Sequence, residues 1–211
     1  MKKIISSLLT VVLMFSCVLS FCSCDMHFGE EGEQFSTAKS AYNDITIVYE
    51  QVSAVVNMRY NAWYFVNHEA ENFEGSDDAE NTENMYDAFA ERVGLSREDL
   101  SEVLEYLNAE KTSDSLREEA FADKIVVGWT ELNVDKDRLQ EALDNAEKNI
   151  DLLTIEYDEI TKYRTLQKYH DTVDEYLSFA NDASYYNIKV MRDSYEERIL
   201  EIKNELQSVF E

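Results

Sequence analysis

A chain of 211 residues that sets 44 acidic side chains against 19 basic ones carries a net charge of −25. That charge opposes nucleic-acid phosphates and an anionic lipid surface, and it favours solubility, cationic partners and loosely bound cations. Yet 45% of the residues are hydrophobic and 12% aromatic, so the acidity does not imply disorder.

The chain opens Met1-Lys2-Lys3, continues with an apolar run over 4–21, and leaves it through Ser20-Phe21-Cys22-Ser23-Cys24-Asp25. A basic start, an apolar stretch and a small-residue exit read as a secretory signal. The run approaches the ~20 residues of a spanning helix, so an uncleaved anchor is the alternative. The exit resembles the signal of bacterial lipoproteins, where a small residue precedes a cysteine that is diacylated and becomes N-terminal. Ser23-Cys24 fits that step and Asp25 begins a polar chain; Phe21, where leucine is usual, and Cys22 depart from it. Cys17 also follows a small residue, but more apolar residues come after it, so Cys24 is preferred over Cys17 and Cys22 as the lipid acceptor. The resemblance covers residues 1–24 only. It implies a signal peptide over 1–23 and a lipoprotein with palmitate-type chains, anchored at the extracytoplasmic face of a bacterial cell membrane.

All three cysteines lie in this leader. The rest of the chain is therefore expected to fold without a disulfide, a thiol nucleophile or a cysteine ligand. The leader takes two of the basic residues and no acid, so the remaining chain is more acidic still. Residues 24–33, with Gly29 and Gly32 among acids, read as a lipidated flexible tether, and 34–211 as a single domain.

The spacing predicts a first helix over 35–73. Phe35, Tyr42, Tyr49, Val56 and Trp63 recur every seven residues, as do Ala38, Ile45, Val52, Arg59 and Val66, and Ala41, Val48, Val55 and Ala62. Three adjacent ladders give a face wide enough for a bundle core on a helix roughly 60 Å long. Its last third is apolar nearly all round, as where other helices converge. Tyr60, Trp63 and Tyr64 in it are the candidate interaction or pocket residues, because Tyr and Trp are enriched at both kinds of site. Arg59, on a core ladder, is expected to lay its stem on apolar surface and its head in water; a buried ion pair is the sharper alternative.

Residues 74–81 read as an acidic loop, with Thr82 capping a helix over 83–93 that Gly94 ends. Ser96 and Asp99 form a capping box before a helix over 100–110. A break at 111–113 precedes a helix holding Leu116, Phe121, Ile125 and Trp129, with Gly128 inside it. From the cap Asp135 onward the apolar stripe runs to the end of the chain, with one turn expected at 180–184, where Asn, Asp and Ser gather. No stretch alternates as a strand would, so the chain is predicted to be all-α: an antiparallel helical bundle of long amphipathic, coiled-coil-like helices joined by short ones.

No catalytic motif emerges. The histidines are His27, His68 and His170, and none lies in a Glu-x-x-His or His-Glu-x-x-His pattern. Asn133-Val134-Asp135-Lys136-Asp137 faintly resembles a calcium loop, but Arg138 stands where glycine is needed, and a helix cap explains the acids better. Glycine loops for phosphates are absent. No cofactor, metal or enzymatic role is therefore expected. The expected role is that of a protein interaction or scaffold module with an envelope or extracellular partner, self-association being open. A ligand-binding or sensing bundle with an aromatic pocket at residues 60–65 is the alternative.

Overall fold

The computed structural model describes residues 30–73, 79–153, 160–182 and 188–210. The leader with its cysteines lies outside them, as do residues 183 and 184 of the expected turn. Among the described residues there are eight α-helices, one 3-10 turn and no strand, so the chain is all-α. The helices are α1 (Glu30–His68), α2 (Ala79–Val93), α3 (Arg97–Tyr106), α4 (Ser113–Leu116), α5 (Glu119–Asn133), α6 (Lys136–Asp151), α7 (Ile160–Asp182) and α8 (Ile188–Phe210), with the 3-10 turn at Ala70–Phe73. No described helix is long and apolar enough to cross a membrane. The chain divides into two compact units, residues 1–36 and 37–211. Of the first, the described part is the beginning of α1.

α1 serves two separate hydrophobic cores. Along its first part Ala38, Tyr42, Ile45, Val48 and Val52 are buried in a core shared with α6, α7 and α8. Farther on, Met58, Ala62 and Phe65 are buried in a second core with α2 to α5. At about 100° per residue these two sets lie on roughly opposite sides of the helix. That explains why the sequence turns apolar all round near its end: one side is still covered by the first core while the other has entered the second. Burying a side chain such as Ile45 or Phe65 contributes about 1.5–3 kcal/mol. Phe35, the first rung of one ladder, is 47% exposed, so the buried face begins with Ala38.

α8 runs antiparallel to α7, since Tyr176 bonds Glu196 while Thr165 bonds Glu205. It is also antiparallel to α1: Tyr42 stacks on Phe210, 5.2 Å between ring centres, and Tyr60 lies under Arg192. In the second core the short helices are placed by their ends. Ser96 Oγ accepts from the Asp99 N–H while the Ser96 N–H donates to Asp99 Oδ2, each at 3.0 Å, which is the capping box the spacing predicts. Gly94, with φ +81°, supplies the left-handed residue that ends α2. Gly128 lets α5 approach α3; a Cβ there would stand 3.2 Å from Val103 Cγ1 and 3.3 Å from Leu107 Cδ2.

Several boundaries differ from the sequence expectation. α1 begins at Glu30, so residues 30–33 of the stretch read as tether are helical. α2 begins at Ala79, which puts Thr82 inside the helix rather than at its cap. α3 stops at Tyr106, because Asn108 takes a left-handed φ of 50°, which asparagine tolerates. The single helix expected around Leu116 and Ile125 is two, α4 and α5. The largest correction is in the C-terminal stretch. α6 ends at Asp151 and α7 begins at Ile160, a break with no glycine or proline to announce it. Packing sets it: ending α6 there lets Leu143 and Ala146 share a core with Leu166 and Tyr169.

Candidate functional site

The three candidate residues sit on the stretch of α1 where the cores change over. Tyr60 and Trp63 are half-buried at the edge of the first core, with ring centres 5.9 Å apart. Tyr64 follows, 6.3 Å from Tyr60, and His68 closes the row 4.6 Å from Tyr64. Spacings of three and four residues align these rings along one side of the helix. Two guanidiniums flank them. Arg192 from α8 lies 3.7 Å from the centre of the Tyr60 ring, and Arg92 from α2 lies 5.0 Å from that of Tyr64. Each arginine also meets a carboxylate: Arg192 bonds Asp193 and Arg92 bonds Glu69. A guanidinium prefers an aromatic face because the ring quadrupole is negative there. The row is thus held in shape while its rings keep part of their surface in water.

Below this row a partly buried carboxylate organises the first core. Glu196 on α8 accepts from Tyr49 (2.6 Å), Ser53 (2.5 Å) and Tyr176 (3.0 Å), which tie it to α1 and α7. Asn57 donates to Ser53 at 3.2 Å and extends the chain of bonds. Burial first, then the hydrogen bond and charge of Glu196, push the Tyr49 hydroxyl well above its ordinary value; burial first, then the same carboxylate, do so for Tyr176. Both therefore stay protonated as donors. Ser53 stands beside a carboxylate, yet it lies within α1, where helical hydrogen bonding engages the neighbouring backbone N–H groups. The cluster fixes helix register.

Arg59 is buried, which corrects the expectation of a head in water and selects the ion pair. Its Nε and Nη2 donate to Asp123 Oδ1 and Oδ2 of α5, at 2.8 and 3.1 Å, while Nη1 donates to Ala180 O at 2.9 Å. Ala180 lies in the last turn of α7, whose carbonyls have no partner within the helix, and a cation there also favours the helix dipole. One side chain thus joins the helix shared by both cores to a helix of each.

Beside it opens a cleft of about 60 Å³. Its apolar wall includes Val52 and Val55 of α1, Val127 of α5, Leu139 of α6 and Leu177 of α7. Its polar groups are Gln51, Arg59, Thr130, Lys136 and Asn181. Tyr60, Trp63 and Tyr64 are not among its lining residues.

His170 is buried between α6 and α7. Its Nε2 is 3.2 Å from Leu143 O and its Nδ1 is 3.2 Å from Asp171 Oδ1. The stretch that faintly resembled a calcium loop is a helix start: Asp135 Oδ1 accepts from the Arg138 N–H at 3.0 Å and caps α6. Sequence reasoning missed Glu196, Asp123 and Arg192. The signal for Asp123 was Arg59 on a core ladder, which asks for an acid, but 44 acids competed for the role. No family model, curated protein sequence or solved structure matches the chain.

Proposed function

We propose that this protein is a membrane-anchored, extracytoplasmic interaction module, tethered through a lipid on Cys24 and contacting another envelope protein through the aromatic side of α1. The observation that supports the reading is the row Tyr60, Trp63, Tyr64 with Arg192 and Arg92 laid against it. Tyr, Trp and Arg are the residue types that dominate binding energy at protein interfaces. Rings already fixed by stacking lose little freedom on binding. The strongly acidic remainder of the chain keeps the molecule soluble and discourages unspecific contacts.

In-cell crosslinking tests the contact. The unchanged protein captures one envelope protein reproducibly, and Trp63→Ser with Tyr64→Ser loses that capture while the fold, followed by circular dichroism, persists. Capture that survives both substitutions removes the aromatic side from the account. The anchor has its own assay: Cys24→Ala releases the protein from membranes and ends incorporation of labelled fatty acid. Label that persists moves the acceptor to Cys17 or Cys22.

The second reading, a ligand-binding or sensing bundle, draws support from the cleft beside Arg59 rather than from residues 60–65.

A further inference from the structure

We infer that the cleft between α1, α5, α6 and α7 is a binding site for a small aliphatic monocarboxylate. The inference is independent of the aromatic side of α1. Size sets the first limit. Some 60 Å³ is room for a few waters, below the ~300 Å³ at which pockets for drug-sized ligands begin. A tail of about two carbons fits within it.

Polarity sets the second limit. Val52, Val55, Leu139 and Leu177 give the cleft an apolar wall. At its edge stand the Lys136 ammonium and the side-chain amides of Gln51 and Asn181, which make no hydrogen bond or ion pair among the described residues. All three can donate. Both charged groups among the described lining residues, Arg59 and Lys136, are cations, and no carboxylate is among those residues, although acids outnumber bases more than twofold in the chain. Arg59 is engaged by Asp123 and Ala180, and its charge is offset by that carboxylate, so Lys136 is the cation left to meet a ligand. Asp135 and Asp137 flank Lys136 in sequence but lie off the cleft, and Asp135 is turned to the Arg138 N–H. An anion with two acceptor oxygens and a short apolar tail meets these features together: the carboxylate against Lys136 and the amides, the tail on the valines and leucines.

The cleft is walled by helices of both cores, so a bound carboxylate would also add contacts across their junction.

The test is calorimetric titration of the full chain, purified in detergent, with sodium propionate and with propionamide, its neutral counterpart of nearly equal shape. Propionate is expected to bind saturably with a Kd of about 1 mM, as suits so small a ligand. Propionamide is expected to bind at least about tenfold more weakly, a gap of about 1.4 kcal/mol. Lys136→Glu, an exposed change, weakens propionate by a similar factor and leaves the melting temperature of the free protein unchanged. Trp63→Ser binds propionate as the unchanged chain does, which separates this site from the aromatic side. Absence of saturable propionate binding overturns the inference. So does equal affinity for propionate and propionamide, or a Lys136→Glu variant that binds undiminished.

Discussion

Where α1 packs on α7 and α8, the core is threaded with hydroxyls; where it packs on α2 to α5, the buried side chains are mostly apolar. The first core buries Tyr42, Tyr163, Tyr169 and Tyr176, and their neighbourhood holds the Glu196 cluster, the Thr46–Tyr169 contact at 3.2 Å and the Thr165–Glu205 bond at 3.0 Å. The second buries Phe65, Met85 and Phe89 with aliphatic residues, and a single tyrosine, Tyr86. Helix length accounts for the difference. Long helices with repeating apolar faces slide past one another at small cost, because one turn of slippage offers a similar surface. Buried donors and acceptors with fixed partners remove that freedom, since a slipped register leaves them unpaired. The short helices of the second core cannot slide in this way. Their positions are set by the capping box at Ser96, the left-handed Gly94 and the close approach at Gly128.

Breaking the junction should have the largest effect. Arg59→Met leaves Asp123 without its partner and the Ala180 carbonyl without a donor, and is expected to cost about 3–5 kcal/mol in urea unfolding. Adding Asp123→Leu should recover most of that loss, because the pair is replaced rather than broken.

Glu196→Gln comes next, at about 1.5–3 kcal/mol. The three hydroxyls donate to both carboxylate oxygens, whereas an amide offers one acceptor and turns an NH₂ toward a donor. Its tyrosines also make the first core sensitive to base. The folded hydroxyls of Tyr49, Tyr169 and Tyr176 ionise above the ordinary value of 10.0, and burial is the leading cause for each. The folded state therefore holds protons that the unfolded chain loses. Their contribution to stability is fully present below pH 10 and declines as pH rises from there toward the raised folded values. Tyr176→Phe should flatten that decline in a pH series of urea midpoints, while Tyr169 and Tyr49 maintain the rest.

The second core should answer to shape instead. Gly128→Val presses an isopropyl group into Val103 and Leu107 and is expected to cost about 1–3 kcal/mol, with no change in the alkaline response. Ser96→Ala removes one half of the capping box at about 1 kcal/mol, read in the thermal midpoint.

The comparison also separates what the sequence made legible from what it concealed. α1 was legible because its seven-residue ladders are unbroken from Ala38 to Ala62, and the caps at Ser96 and Asp135 because side-chain chemistry acts locally there. The division of α1 between two cores was visible only as a loss of amphipathicity, which by itself does not say which helices cover which side. The end of α6 at Asp151 left no mark, since a long-range interface decides it. Of the site, the aromatic row could be read from composition. The partners Arg192, Asp123 and Glu196 could not, because pairing across more than 60 residues has no periodic signature.

The central claim is that one helix carries two cores and that Arg59 ties them together. The most direct test is hydrogen exchange, followed segment by segment, in the unchanged protein and in Arg59→Met. In the unchanged protein the slowest amides of α5 and of α7 should exchange with one common free energy. In Arg59→Met the two sets should separate, with the ends of α5 and α7 nearest the lost contacts opening first. Protection in the variant that falls equally in both cores, or that does not fall at all, would contradict the account.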